Sequence, residues 1–290
     1  MENTGLITEE YVNTIIRERP EEIHKGQCGR VLVAAGSEGM AGAAVLSARG
    51  ALKSGAGLVT VAVPREQFCI LQTAVPQATC IDRSISEKFT QRSLEIYGAV
   101  AIGPGMGDDE KNYLFIENIL KNYNGTVVID ADGINNICRY GDAVRNISES
   151  GASVILTPHP GEADRLLDSM GEDSVSRLGR RKAAEIISRK TGAYVLLKGA
   201  GTVVSYEGEG TYINTTGNPG MATGGSGDVL TGVIAAIAAS GIRAFDAVRT
   251  GAFIHGLAGD IAAEKAGQWG MTSVEIEEAL PAAFKKIVGK

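Results

Sequence analysis

The chain contains 290 residues, with 28 Lys and Arg against 34 Asp and Glu, which gives a formal net charge of −6. An acidic protein offers no basic field to a nucleic acid or an anionic membrane, so neither is expected as a partner. The apolar runs are far shorter than the roughly 18 residues of a membrane-spanning helix, and the first residues lack the apolar core of a secretory signal, so a soluble, cytoplasmic protein is expected.

Glycine and cysteine usage narrow the class of protein further. The 38 glycines are about twice the average share of roughly 7%, and they cluster after short apolar runs, where a chain turns tightly or approaches a ligand. The four cysteines are far apart and form no CxxC pair, and there are only three histidines. This spacing favours free thiols over a zinc site.

Short apolar runs alternate with longer segments of helical period, which is the pattern of a parallel sheet covered by helices. The first 20 residues predict a helix packed on the outside of the protein. The predicted strands are residues 30–35, 58–63, 99–102, 126–130, 153–156 and 194–198. A predicted helix over residues 41–54 joins the first two strands into a βαβ unit. Ligands in such sheets bind at the carboxyl ends of the strands.

The pattern changes after residue 198. Residues 202–206 and 211–214 bracket the sequence EGEG and predict a small hairpin in the C-terminal half. The remaining predicted helices are residues 227–239, 244–264 and 272–288. Neither a repeat nor a linker marks a boundary, so we predict one α/β domain over residues 1–290, with a mostly parallel sheet flanked by helices on both faces.

The most informative segment is NPGMATGGSGDVL at residues 218–230, which runs into an apolar helix. Its glycines remove side chains from a turn that precedes the helix, so backbone N–H groups can converge on an anion at the positive end of the helix dipole. The segment lacks the Lys-Ser/Thr of a Walker loop and the GxGxxG spacing of a dinucleotide fingerprint. The residues of this predicted anion hole are Gly224, Gly225, Ser226 and Gly227.

Asp228 follows the anion hole directly, in the first turn of the predicted helix. One interpretation is an N-terminal acid that complements the helix dipole. The other is a catalytic base, because a carboxylate inside an anion site repels phosphate unless it has a task there, such as accepting the proton of an attacking hydroxyl. The second interpretation is favoured.

Segments along most of the chain are similar, in order, to the ADP-dependent NAD(P)H-hydrate dehydratases, a family with the ribokinase-like fold. The matching segments are HKGQCGRVLVAAGS (24–37), GAAVLSARGALKSGAGLVTVAVP (42–64), AIGPGMG (101–107), DADGIN (130–135), LTPHPGEADRLL (156–167), LLKGAGTVV (196–204) and the glycine-rich run itself. Gln77 replaces an expected acid. The epimerase domain that often accompanies this family is absent, so a stand-alone dehydratase is expected.

The resemblance implies an enzyme of metabolite repair. Such an enzyme, a carbon–oxygen lyase, converts the S epimer of hydrated NADH or NADPH (NADHX, NADPHX) back to NADH or NADPH, using ADP as co-substrate and releasing AMP and phosphate. Asp228 then accepts the hydroxyl proton. The resemblance also implies Mg²⁺, arranged through water by Glu162, and a homotetramer.

The resemblance assigns two sets of binding residues. The nucleotide-binding set for ADP is Lys198, Gly199, Ala200, Gly201, Thr202 and Gly227. The substrate-binding set is Ala43, Gly105, His159 and Asp228. Each residue also has a plainer interpretation: Lys198 as an exposed strand-end amine, His159 as a structural residue, and Ala43 with Gly105 as close helix packing.

Several other polar residues stay outside the predicted site or at its edge. Glu162 can be a helix N-terminal acid, and Asp130 with Asp132 can belong to an ordinary strand-to-helix turn, although both could orient a metal or a ribose. His255 lies in an alanine-rich helical pattern and is expected to be a core or interface residue, and His24 is expected to pack at the entry to the first strand.

Two other functions remain open from the sequence. A ribokinase-like vitamin or sugar kinase would use ATP and stop at the phosphate ester, and a nucleotide-binding regulatory protein would have lost turnover. The preference between NADHX and NADPHX and the need for a monovalent cation are also left open.

Overall fold

The computed structural model describes residues 4–289, and in it ten strands form one sheet. The strands are β1 Thr4–Ile7, β2 Arg30–Ala34, β3 Leu58–Val63, β4 Thr79–Asp82, β5 Ala99–Ile102, β6 Thr126–Ile129, β7 Ser153–Leu156, β8 Tyr194–Leu197, β9 Val203–Tyr206 and β10 Gly210–Asn214. Their order across the sheet is β1-β10-β9-β8-β7-β6-β5-β2-β3-β4. All neighbours are parallel except that β9 runs antiparallel to β8 and β10, which confirms the mostly parallel sheet and the hairpin.

Thirteen α-helices lie within the described residues. They are α1 Glu9–Ile15, α2 Ala41–Lys53, α3 Phe68–Ala74, α4 Gln91–Leu94, α5 Glu110–Asn122, α6 Asp132–Tyr140, α7 Ala143–Ser148, α8 Pro160–Ser169, α9 Val175–Leu178, α10 Arg180–Thr191, α11 Ser226–Ala239, α12 Ala244–Gly270 and α13 Ser273–Val288. Short 3₁₀ turns occur at Arg65–Gln67, Ser86–Lys88 and Pro219–Met221. No described helix is both long and apolar enough to cross a membrane.

Side chains of the central strands alternate between two cores. In β2, Val31 and Val33 enter the core beneath α2, α11, α12 and α13, whereas Leu32 and Ala34 enter the core beneath α5, α6, α8 and α10. Because both faces are covered, the strands are apolar throughout rather than alternating with polar residues. This confirms the prediction of helices on both faces.

The position of α11 is set by close approach to α2. Twelve of the 14 residues of α11 are buried. A Cβ on Gly232 would lie 2.1 Å from the carbonyl oxygen of Ser47, and a Cβ on Gly50 would lie 2.6 Å from that of Val229. The absence of side chains at both glycines therefore allows the two helices to touch through their backbones, which fixes where the N-terminus of α11 points.

The structure corrects the prediction at the N-terminus. Instead of one helix, the chain forms β1, parallel to β10, and then the short helix α1, for which the Thr8 side chain accepts a hydrogen bond from the Tyr11 amide. Four residues carry too little pattern to predict a strand, and β1 forms because β10 offers it an edge. Residues 1–3 of the predicted helix, and of the predicted single domain, lie outside the described residues, as does Lys290.

Two further differences concern element ends. The sequence did not predict β4, whose four residues are only partly buried at the end of the sheet. The predicted helix over residues 244–264 continues in α12 to Gly270, across a non-helical Gly267 with φ 71°. All four cysteines are free thiols, as predicted.

Candidate active site

An ion pair joins two neighbouring ends of the parallel sheet. Asp130 follows β6 and is 1% exposed, and its Oδ1 accepts a hydrogen bond from Lys198 Nζ, which follows β8, at 2.5 Å. Its Oδ2 accepts a second bond from the Thr231 hydroxyl, one turn into α11, at 2.7 Å. A buried carboxylate needs such partners, because leaving it unpaired costs several kcal/mol, about 3–5 by the usual measure. The pair therefore ties β6 and β8 to the start of α11.

Glycine allows this ion pair to reach the first turn of α11. A Cβ on Gly227 would lie 3.1 Å from Lys198 Nζ and 3.6 Å from Asp130 Oδ2. Gly225, just before the helix, has φ 84°, and a Cβ there would lie 2.4 Å from Leu46 Cδ1. Both the backbone conformation and the space therefore require glycine at position 225.

The turn formed by residues 224–227 can hold an anion. The backbone N–H groups of Gly227 and Asp228 have no acceptor among residues 4–289, as is usual in a first helical turn. These donors lie at the positive end of the α11 dipole, with the Lys198 ammonium beside them. This combination is the chemistry of a phosphate site, at the place where the sequence predicts an anion hole.

Asp228 is half-buried in the same turn, in a field of other charges. Burial, and then the negative charges of Asp130 and Asp132, raise its pKa from the ordinary value of 3.8 to about 6, although Lys198 acts in the opposite direction. A carboxylate with this pKa is mostly ionised at neutral pH yet more basic than an ordinary Asp. Such a group suits proton transfer at neutral pH.

The turn after β6 carries unusual backbone strain. Ala131 has φ 46° and ψ −120°, and it is the single non-glycine residue with positive φ in the described part of the chain. The neighbouring Asp132 accepts a hydrogen bond from the amide of Gly107 at 2.8 Å, which connects this turn to the loop after β5. Asp130 and Asp132 thus face different neighbours on either side of a strained residue.

His159 and Glu162 form the cap of α8. The His159 amide donates to Glu162 Oε2 at 2.8 Å, and His159 Nε2 lies 3.1 Å from Glu162 Oε1. Because His159 Nδ1 accepts from the Gly161 amide, the neutral ring carries its proton on Nε2 and donates it to Glu162. Burial raises the pKa of Glu162 to about 7, with Lys198 lowering it, and burial with the Lys198 charge lowers the pKa of His159.

The loop of residues 198–202 is braced by its neighbours. The Lys198 amide donates to the carbonyl of Pro158 at 2.9 Å, and the Thr202 hydroxyl donates to the carbonyl of Gly199 at 3.0 Å. The Arg180 guanidinium donates to the carbonyls of Ala200 and Gly201. The sequence analysis missed Arg180, since no motif connects the start of α10 to this loop.

Ala43 and Gly105 meet on the other side of Asp228. Gly105 has φ 57°, and a Cβ on it would lie 2.8 Å from the Cβ of Ala43 at the start of α2. The two residues therefore touch through their smallest groups, two residues from the bond between Gly107 and Asp132. The structure brings them to the same edge of the sheet as Asp228.

Comparison with known proteins identifies the family of this chain. The family model described as NAD(P)H-hydrate dehydratase matches residues 31–282. The chain belongs to this family. The match contains every residue of the turn, the ion pair and the α8 cap described above.

Curated members of the family cover the chain to different extents. The bifunctional NAD(P)H-hydrate repair enzyme Nnr of Moorella thermoacetica is 37% identical over 98% of this chain, which spans 54% of that protein. The chain thus spans about half the length of several relatives that it matches. The ADP-dependent (S)-NAD(P)H-hydrate dehydratase of Bacillus subtilis is 29% identical over 98% of this chain and 99% of its own length.

Solved structures of the family share the fold. The ADP/ATP-dependent NAD(P)H-hydrate dehydratase of Bacillus subtilis, co-crystallized with ATP/Mg²⁺, superimposes with a TM-score of 0.87 at 28% identity, over 98% of this chain and 99% of that one. A ribokinase-like superfamily protein of Enterococcus faecalis superimposes with a TM-score of 0.84 at 26% identity, over 99% and 97%. The predicted ribokinase-like fold and family are confirmed.

The family placement leaves the roles of single residues as predictions. The structure gathers Lys198, Gly227 and Asp228 with the α8 cap, and it places Gly199 to Thr202 in the adjoining loop. His255 is buried in α12 as expected, with its Nε2 atom lacking a partner among the described residues, and burial lowers its pKa to about 4. His24 is exposed.

The donor set tests the expected Mg²⁺. Within residues 4–289, no three His, Cys, Asp or Glu side chains form a group that could hold a metal. Both oxygens of Glu162 already face His159. Mg²⁺ keeps several waters and prefers phosphate oxygens with one or two carboxylates. These residues therefore fit an ion carried by a nucleotide and contacted through water, and they do not fit a protein cage.

Proposed function

We propose that this protein catalyses the ADP-dependent dehydration of the S epimer of NADHX and NADPHX, restoring NADH and NADPH and releasing AMP and phosphate. The observation that carries the proposal is the carboxylate of Asp228, of raised pKa, in the first turn of α11, beside free backbone amides and the Lys198 ammonium. Relatives named as NAD(P)H-hydrate repair enzymes support the substrate class.

The chemistry explains why a kinase-like site suits a dehydration. The hydrate carries a hydroxyl where water added across a ring double bond, and hydroxide is a poor leaving group at neutral pH. Asp228 accepts the proton of this hydroxyl, and the oxygen attacks the terminal phosphorus of ADP while the bond to the AMP oxygen breaks. The phosphate ester then leaves as inorganic phosphate, the ring carbon next to it loses a proton, and the double bond returns.

The residues around Asp228 divide the remaining tasks. The amides of Gly227 and Asp228 bind the phosphoryl oxygens and stabilise the charge that spreads over them during transfer. Lys198 supplies a positive charge to the same group, and the loop of residues 199–202, braced by Arg180, binds the nucleotide. Asp130 holds the Lys198 ammonium in place.

Mg²⁺ would be held by the nucleotide phosphates and, through water, by Glu162, and when bound it neutralises phosphate charge. The fully buried His255 contributes no charge at neutral pH, since its pKa is about 4. The site thus depends on Lys198 and the helix dipole for its protein-derived positive field.

One assay tests the proposal. Chemically hydrated NADH or NADPH is mixed with the protein and either ADP or ATP, and the return of the dihydronicotinamide absorbance is followed with time. ADP is expected to support recovery better than ATP. Recovery with ATP alone would overturn the donor assignment, and accumulation of a stable phosphate ester would favour a kinase instead.

A further inference from the structure

A second recess opens on the side of Asp228 away from the loop of residues 198–202. This cleft has a volume of about 730 Å³, which lies in the range of small-molecule sites. Ser37, Met106 and Gly107 line one end of it. That end adjoins the reaction centre, because the Gly107 amide donates to Asp132, whose charge acts on Asp228.

The cleft lies where ligands of open α/β sheets bind. The strand β2 has β3 on one side and β5 on the other, so the chain reverses its direction across the sheet between β2 and β5. Ser37 follows β2, and Met106 with Gly107 follow β5. Such a reversal leaves a crevice outside the carboxyl ends of the two strands, and this is the usual ligand position.

A mostly buried guanidinium lines this cleft. Arg83 donates to the carbonyls of Ala35 and Gly36, at 2.8 and 2.9 Å, and to that of Met106 at 3.4 Å. It forms no ion pair with a carboxylate among residues 4–289. Arg83 therefore clamps the loops after β2 and β5 together and leaves its positive charge without a directly bonded counter-ion.

Two exposed cations lie on the rim of the cleft. Arg65 and Lys111 line it, and neither side chain makes an ion pair or hydrogen bond with a described residue. The cleft also contains carboxylates, but Asp108 is paired with Arg139 at 2.5 Å, and Asp109 caps α5. Carboxylates are suitable acceptors for ribose hydroxyls, whereas the three cations suit phosphate.

Aromatic and aliphatic surface completes the lining. Phe89 and Phe115 form an edge-to-face pair with centroids 4.8 Å apart, and Leu114 beside them is 53% exposed. Apolar surface of this kind suits a planar base. The cleft thus combines contacts for a base, for a sugar and for phosphate.

We propose that this cleft binds the adenosine-phosphate half of the hydrated dinucleotide, with Arg65, Arg83 and Lys111 facing its phosphate groups. The proposal rests on the proposed function, because the hydrated ring must lie at Asp228. From β6, which carries Asp130, the strands β3 and β4 are three and four steps away, or about 14 to 19 Å. An extended pyrophosphate-linked dinucleotide can cover this separation. ADP and substrate then approach Asp228 from opposite sides, as in-line transfer requires.

The test compares a complete substrate with a truncated one. The double variant Arg65→Ala/Lys111→Ala is assayed on hydrated NADH, on hydrated NADPH and on hydrated reduced nicotinamide mononucleotide, which lacks the adenosine-phosphate half. The control is Arg92→Ala/Lys121→Ala, which removes two exposed cations outside the cleft. Calorimetry with NADPH and with reduced nicotinamide mononucleotide measures binding without turnover.

The double variant is expected to raise KM for both dinucleotide hydrates by about three- to tenfold, since each exposed phosphate contact contributes modestly. Its kcat, and its KM for the mononucleotide hydrate, should match those of the wild type. NADPH affinity should fall while mononucleotide affinity stays unchanged, and a larger loss with NADPH than with NADH would place the contact at the 2′-phosphate. Equal changes for complete and truncated ligands, or no change, overturn the proposal. Failure of the wild type on every hydrate instead refutes the proposed function.

Discussion

Replacement of Asp228 by Asn isolates the proposed base, because Asn keeps the shape of the side chain but accepts no proton. If the carboxylate takes the hydroxyl proton, turnover of hydrated NADH with ADP should fall by roughly 10² to 10⁴, the usual range for a general base. In the wild type, activity should also fall as the pH drops below about 6, where Asp228 becomes protonated. ADP should bind Asp228→Asn as well as the wild type or better, because a negative charge beside the phosphate is removed.

The same substitution should raise stability at neutral pH. Folding raises the pKa of Asp228 from 3.8 to about 6, so the folded state disfavours the ionised form. At 1.36 kcal/mol per unit, ionised Asp228 costs up to about 3 kcal/mol of unfolding free energy above pH 6. This cost is absent below pH 3.8, where the group is protonated in both states, and it grows as the pH rises through 6. Asn carries no such cost.

Two measurements on one protein therefore decide the role of Asp228. Turnover is followed by dihydronicotinamide absorbance, and stability by denaturant unfolding at pH 7.5 and at pH 4, with the exposed Asp168→Asn as control. The reasoning expects lost turnover together with a stability gain that shrinks at pH 4. If Asp228→Asn retains turnover within a few-fold of wild type, Asp228 is only a helix-end acid. If it loses turnover but also stability at pH 7.5, the raised pKa is wrong.

Two further predictions concern Lys198 and Ala131. Lys198→Ala should weaken ADP binding in calorimetry while substrate binding changes little, and it should move the acid limb of the activity profile to higher pH, since Lys198 lowers the pKa of Asp228; Lys182→Ala on exposed α10 is the control, and unchanged ADP affinity would contradict the assignment. Ala131→Gly should leave thermal stability unchanged or raise it by up to about 1 kcal/mol, because glycine adopts φ 46° without strain, whereas Ala282→Gly in exposed α13 should lower stability by about 1 kcal/mol; equal losses at both positions would show that Ala131 is unstrained.

Sequence predicts this fold where burial is strong and local. The strands β2, β3 and β5 to β8 are short apolar runs buried on both faces, and their bounds differ from the predicted ones by at most one residue. By contrast, β1 and β4 are four residues long and pair only along one side, at the ends of the sheet. Their formation depends on an edge offered by a distant part of the chain, and such an edge leaves no periodic signal in the strand itself.

The candidate site divides along the same line. The glycines before α11, and Asp228 after them, were predictable because one continuous segment carries both the turn and the acid. The pairing of Lys198 with Asp130 was not, since 68 residues separate them and a strand-end Lys has many possible partners. Arg180 left no signal either, because its partners are backbone carbonyls, which every residue offers.

The energetics of the structure mark this edge of the sheet as functional independently of any resemblance. The single described non-glycine residue with positive φ, Ala131, lies next to Asp130, and two carboxyl groups with strongly raised pKa values, Asp228 and Glu162, feel the charge of Asp130. Strain and buried charge each lower the stability of the folded chain. A glycine at 131 and an amide at 228 would remove most of these costs without changing the fold. Because the costs concentrate within one ion pair's reach instead of scattering over the sheet, they indicate that the chain holds this geometry for chemistry and not for stability.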